Sequence, residues 1–407
     1  MTTPHLESAG SFDRRVLLGA AGLASVAALA SARAGAGPLN PPAGAVAPTG
    51  KTLAEIEPRT AISAANTPGD ANSLYKIIQP GSYYLTGNIQ VTTAGFAAIE
   101  IAAPGVTVDL NGFEVLGMGA AGGSVSAITA ATSTYTGAQV LGGTVRNWGG
   151  AGVDLSTSAS VRNMSVINCG LASSRTAIYL GIGCAIENCV VNGGGVVGGF
   201  GFGSQCTARG CTALNTGGAG FSTNGACVFH GCTSNGCGYG FALSEGDVAI
   251  GCAASFNNGD GFILTAALAA DCIAHDNEDA GFFLNSVSHA QGCFSHRNTY
   301  GFQAFNGAVV LNNNASSNTT AGFYNSSGGE VRFEGNSARS NPTGFLINTS
   351  GNLLIRNTAA RSSTANWNVV GGNFCLVVAA VGGLGAINGD SGGVSPGSTN
   401  PYANFSL

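Results

Sequence analysis

Charge is what this chain has least of. Only 9% of its residues are Asp, Glu, Lys or Arg, and the net charge is -5. A nucleic-acid partner needs a basic face that neutralises phosphates, so DNA or RNA binding is excluded as a function class. Long apolar runs are missing too. The one candidate, an Ala- and Gly-rich stretch ending near Ala30, is too short and small-sided for a membrane span, and no later stretch qualifies, so no transmembrane segment is expected in the mature chain. No amphipathic helical pattern of useful length is present, and the Leu-x-x-Leu-x-Leu signature of a leucine-rich repeat is lacking. What the chain has in abundance is glycine, 65 residues of it, which supplies tight turns.

Against that background a Gly-Phe pair recurs, its phenylalanines being Phe221, Phe241, Phe262, Phe282, Phe302, Phe323 and Phe345, with steps of 20, 21, 20, 20, 21 and 22 residues. A period of this size means stacked units that bury a shared core. A second marker column reads Cys189, Cys211, Cys232, Cys252, Cys272, Cys293, then Asn314, Asn336 and Thr358. Residues at minus three (such as Ile186, Phe229, Leu311, Phe333, Ile355) and minus five (Val309, Val331, Leu353) are mostly apolar or small, and from Ala213 to Ala360 the residues at plus two are only Ala or Ser. This two-residue alternation is that of a strand. The pattern predicts an all-β, right-handed parallel β-helix solenoid, about a dozen coils of 20–22 residues with three short strands each. Asp247 alone falls at an inward minus-five position, which suggests a local one-residue slip of register.

The ends read differently. Residues 1–34, with Arg14-Arg15 before the apolar run and small-residue cleavage motifs after it, read as a twin-arginine export signal, with an ordinary Sec signal as the alternative; by either route the mature protein is expected in the periplasm, on the cell surface or in the medium. Residues 35–58 read as a Pro/Gly/Ala-rich linker, 59–104 as an N-terminal cap region, 105–373 as the β-helix, and 374–407 as a capping segment with a Gly/Ser-rich tail. Capping is expected from Phe374 to Val381 or from Pro401 to Phe405, packed on the side or end of the solenoid over an apolar stripe of Ile263, Phe283, Tyr324 and Leu346.

Twelve cysteines in an exported chain invite a disulfide or zinc reading. In-register stacking instead holds neighbouring Cβ atoms ~4.8 Å apart with parallel vectors, outside disulfide geometry. A column that passes into Asn and Thr behaves as a packing ladder, so the cysteines are expected to be free. Cys169, Cys237 and Cys375 lie off these ladders.

Four segments carry a family resemblance: Glu57-Pro58-Arg59-Thr60, Ile78 to Asn88, Val106 to Phe113, and the closing Asn400 to Phe405. With the repeat, they make the chain resemble the bacterial exported right-handed parallel β-helix proteins, a pectate-lyase-like superfamily that includes alginate epimerases and tailspikes. The resemblance implies the fold over nearly all of the mature chain. It implies polysaccharide as a substrate class, and Ca2+ as the ion if the chemistry is that of a lyase. No other cofactor is called for. The Gly-His-Gly and paired-Asp motifs of polygalacturonases are absent, and the Asp-Pro-His-Asp of alginate epimerases is matched only by His275-Asp276.

Where charges are so few, a cluster of them is informative. His275, His296 and Arg339 share one repeat position, Asp276 and Arg297 the next, with Glu278, Asp279 and Asp260 close by. Stacking sets His275 beside His296 and Asp276 beside Arg297. A base, an acid and a cation are what proton abstraction from a uronate needs, so His275, Asp276, His296 and Arg297 are the candidate catalytic residues. Tyr239, Asp260, Tyr300 and Arg339 are the candidate substrate contacts. A solvated turn with charges paired across coils is the alternative for the same residues. Glu187, Arg209 and His230 read as structural pairing on an outer face, and Asn215, Asn235, Asn277, Asn298 and Asn318 as a stacked ladder satisfying turn backbone. Two function classes follow: a protein that binds or acts on a polyuronate as lyase, epimerase or hydrolase, and a non-catalytic envelope or surface scaffold.

Overall fold

The computed structural model describes residues 57–379 apart from 131, 133 and 173–175, together with 387–388 and 401–407. The export signal, most of the linker and the tail from 380 to 400 other than 387–388 lie outside the described residues. From Pro58 onward the chain is one unit, and it is the expected right-handed parallel β-helix. Each coil lays down three short strands, as in Val248–Ile250, Ala253–Ser255 and Phe262–Thr265. Each of these pairs in parallel with the equivalent strand of the following coil. Three ladders result, the first two fusing where the ten-residue strands Gln139–Trp148 and Ser160–Cys169 run through both.

The third ladder holds 15 strands, so there are about 15 turns where the repeat predicted a dozen. Two of the extra turns lie at the N-terminal end and the third, Ile387–Asn388, at the C-terminal end. Ser73–Ile77 and Ala97–Ile101 already belong to the third ladder, although the Gly-Phe marker begins only at Phe221. Early coils use Ile and Leu at the same place, and Ile178 stands in register with Phe200.

Glycine and asparagine recur because every coil turns through left-handed residues. The corner after the first strand uses Asn188, Gly210, Gly231, Gly251 and Asp271, and the corner after the second uses Asn215, Gly236, Phe256, Asp276 and Arg297. Gly avoids the Cβ clash of this conformation, and Asn and Asp tolerate it better than other side chains.

Inside, the repeating Phe rings form one stack from Phe200 to Trp367, with centroids 4.3–5.1 Å apart and the planes within 12°. Every member is fully buried. The strand spacing sets this distance, because residues in register across parallel strands sit one hydrogen-bonded step apart.

The marker column needs a one-residue correction. Register pairs Phe294 with Asn314 and Ser337 with Thr358, so the inward successors of Cys293 are Asn313, Asn336, Asn357 and Asn404, while Asn314 is exposed. By the same shift Val310 and Leu354 point inward in place of Leu311 and Ile355, and Ala308 and Asn352 in place of Val309 and Leu353. The physical reason is shared hydrogen-bonding. The thiols of Cys252 and Cys272 donate to Phe229 O and Ala249 O of the preceding coil, and Asn313 and Asn336 donate to Ala290 O and Val310 O at the equivalent place. The Asn oxygens also accept the backbone N–H one coil back, Cys293 N to Asn313 Oδ1 at 2.8 Å and Asn313 N to Asn336 Oδ1 at 2.9 Å.

Asp247 involves no slip of register. Val228 pairs with Val248, so Asp247 follows Cys184, Cys206 and Cys227 in one inward column. It accepts from Cys227 N, Ser244 N and the Thr223 hydroxyl. Burial pushes its carboxyl above the usual range. Cys237 heads a third inward column that continues through Asn257, Asn277, Asn298, Asn318 and Asn341. Asn215 and Asn235 belong instead to the outer side of that corner. Each corner thus carries an internal polar spine that satisfies turn backbone groups otherwise buried unpaired.

All twelve cysteines are free and buried, and burial pushes the Cys169 thiol up to about 12. A thiol reagent should therefore find essentially no reactive cysteine in native protein and close to the full complement after denaturation without reductant. A denatured count near zero would refute the free-thiol ladders.

At the C-terminal end Phe374–Cys375 extends the first ladder and Asn404–Ser406 the second. These segments continue the coils and do not lie across the stripe of Ile263, Phe283, Tyr324 and Leu346, which stays half-buried on the outer face of the third ladder.

Candidate functional site at the second corner

His275 and His296 are in register on the outer face of the second ladder, with Ser255 before them and Ser316 and Arg339 after. Asp276 and Arg297 are the next residues, at φ 55° and 53°. Because this corner is left-handed in coil after coil, the conformation belongs to the fold and does not mark stored strain. Its effect is to turn both side chains outward beside the imidazoles.

Asp276 is the hub. Its carboxylate accepts from Arg297 Nε and Nη2, both at 2.7 Å, and lies 2.8 Å from His275 Nδ1. The forked Arg297 contact, and then His275, hold the Asp276 carboxyl at about 2, so it stays ionised and cannot itself be a useful base at neutral pH. An ionised carboxylate at Nδ1 favours the tautomer with hydrogen there and leaves Nε2 as the acceptor. His296 Nδ1 lies 3.1 Å from both Ser316 O and Ser316 Oγ, which favours the same tautomer. Two imidazoles one coil apart therefore present Nε2 lone pairs. Arg297 keeps Nη1 without a partner among the described residues and is 58% exposed.

The other candidates separate. Arg339 is exposed two coils beyond His296 and touches none of the cluster. Tyr239 is exposed, and its ring packs so closely on Gly259 that a Cβ there would lie 2.5 Å from Cε1. Asp260 is buried and its Oδ1 accepts the Ala280 N–H at 2.9 Å; burial raises its carboxyl to about 6. Tyr300 stacks on Tyr324 with centroids 4.5 Å apart. Glu187, Arg209 and His230 are in register on the outer face of the first ladder.

Three aromatic neighbours of these candidates were not assigned to the site from the sequence. The exposed Phe256 meets His275 edge-on at 5.5 Å, Phe294 lies over His296 at 5.9 Å, and Tyr324 completes the Tyr300 pair. The available signal was Phe256 standing in the column otherwise filled by Asn, Gly, Asp, Arg and Ser. Among the described residues no group of three or more His, Cys, Asp or Glu is placed to hold a metal ion, and no helix is long and apolar enough to cross a membrane.

No family model and no curated protein matches the chain. Among solved structures it is similar to the A-module of the mannuronan C-5 epimerase AlgE4 of Azotobacter vinelandii, at 13% identity and a TM-score of 0.35, over 72% of this chain and 82% of that one.

Proposed function

We propose that this is an exported polysaccharide-binding β-helix that engages an acidic glycan, of polyuronate type, at the second corner. The observation that carries this reading is the Asp276 hub: it orders His275 and Arg297 together and leaves an imidazole Nε2 and a guanidinium Nη1 without partners among the described residues, in a chain of which only 9% is charged. A carboxylated sugar presents to such a site an anion for Arg297 and hydroxyl donors for His275 and His296, with Phe256 and Phe294 as apolar flanks. If the site is catalytic, His275 or His296 is the base, Asp276 its positioning partner and Arg297 the group that holds the sugar carboxylate and steadies an enolate.

The scaffold reading has its own support, since the Asp276–Arg297 pair satisfies itself at a corner conformation common to the coils. Binding and turnover measured on polygalacturonate and alginate separate the two. His275→Ala and Arg297→Ala should each weaken binding at least tenfold, and abolish any turnover, with the melting temperature nearly unchanged. Full retention of acidic-glycan binding by the double variant would remove the corner as the site.

A further inference from the structure

Among the described strands the second ladder stacks in chain order with one exception. Asn404–Ser406 pairs in parallel with Thr358–Ala360 on one side and with Val377–Ala379 on the other. A strand late in the sequence thus lies between two earlier ones. The first ladder has no such insertion, since Phe374–Cys375 pairs directly with Leu353–Ile355. Between Cys375 and Val377 the chain therefore climbs an extra strand spacing of about 4.8 Å and opens a slot one strand wide.

The walls of the slot select what fills it. At the first corner the spine of Asn313, Asn336 and Asn357 is continued by Asn404, and not by a residue of 374–379. Asn404 Oδ1 accepts the Asn357 N–H at 2.9 Å and the Asn357 amide at 3.0 Å, and the Asn404 amide donates to Leu354 O at 2.8 Å. Main-chain bonds run to both walls, Asn404 N to Leu376 O and Phe405 N to Asn357 O, each at 2.8 Å. Ser406 Oγ accepts from the Asn366 amide at 2.9 Å. Asn404 and Ser406 are buried while Phe405 between them is only half-buried, so two inward side chains are read and one outward one is not. With the slot empty, the Asn357 N–H and Leu354 O would lose their partners inside the solenoid.

From this out-of-order strand and the donors and acceptors that meet it, we propose that the slot is a peptide-binding site occupied in cis. It accepts one extended strand by β-augmentation, with Asn to continue the spine and a small hydroxyl side chain two residues on, and residues 404–406 are its resident ligand. Residues 389–400 tether that ligand and hold it at a high effective concentration, so a free peptide competes poorly with it in the native chain. The site is independent of the acidic-glycan reading of the second corner.

The test empties the slot in the full chain. The double variant Asn404→Ala, Phe405→Pro removes the spine acceptor and the N–H that bonds Asn357 O, and it should melt below the native chain. A labelled peptide of residues 400–407 should bind the double variant one-to-one and raise its melting temperature toward the native value. It should bind the native chain at least tenfold more weakly, and a peptide carrying the same two substitutions should not bind. If the double variant does not fold alone, refolding it with either peptide makes the same comparison, with recovery expected from the native sequence only. The proposal is overturned if the double variant melts as the native chain does, if the native-sequence peptide neither binds nor rescues it, or if the two peptides act alike. Equal affinity of the peptide for the native chain and the double variant would also overturn it, by placing the peptide on another surface.

Discussion

Replacing Phe282 with Ala should destabilise the protein by about 3–5 kcal/mol, read as a lower denaturant midpoint with little change of slope near it. Phe282 is fully buried and lies 4.8 Å from the rings of both Phe262 and Phe302. Truncation removes its transfer energy and leaves a cavity that the neighbours cannot close, because hydrogen-bonded strands fix the coil spacing. Collapse of the ladder to fill the hole would break backbone pairing on both sides. Phe282→Leu keeps most of the volume and should cost well under half as much. A change below about 1 kcal/mol for the alanine variant would mean that the stack is not a principal source of stability.

A comparable loss is expected from Asn298→Ala, which touches no apolar contact. The Asn298 oxygen accepts both the Asn277 backbone N–H at 2.8 Å and the Asn277 side-chain amide at 2.9 Å. Its amide donates to Ala274 O at 3.0 Å and Ser295 Oγ at 2.9 Å. Alanine would strand several of these groups in a buried interior. At about 1–3 kcal/mol for each orphaned group, partly relieved by relaxation, the cost should again reach about 3–5 kcal/mol. Asn298→Cys should be milder, since the same column already holds Cys237 and a cysteine sulfur elsewhere accepts a backbone N–H, as Cys227 does from Cys206. Equal costs for the alanine and cysteine variants would contradict the idea that cysteine and asparagine fill one hydrogen-bonding role.

The repeat was legible because its period is written in large, chemically unmistakable residues. A Phe every 20–22 positions, each directly preceded by Gly, leaves few ways to bury a ring per unit. The early coils were less legible, since Ile178 and Leu180 do the work of Phe there and Ile or Leu is common in any strand. The slip from Asn313 to Asn314 came from adjacent asparagines, Asn312 to Asn314, whose identities cannot say which one faces in. Asp247 misled for a related reason. A buried carboxylate is costly in isolation, and only the three donors that meet it show how it is accommodated.

At the second corner the sequence placed His275, Asp276, His296 and Arg297 on neighbouring coils, and the structure brings three of them into one hydrogen-bonded cluster. It did not give the direction of the pairing. Asp276 serves both His275 and Arg297, which makes it a positioning group with a carboxyl held at about 2. Arg339 shares the column but stands two coils away, and Asp260 is turned into the backbone of the following coil.

The sequence by itself determined the solenoid, its three strands per coil, the inward Phe stack and the stacking of like residues on like, because in-register parallel pairing converts a one-dimensional period directly into neighbours in space. Tertiary structure alone decided which of two adjacent polar residues faces inward, how thiols and amides exchange roles along each corner, and where the surface dips. Those outcomes depend on donor and acceptor directions and on the relative size of side chains from separate coils, such as Gly201 beside Thr176 and Tyr179, and no single coil contains them.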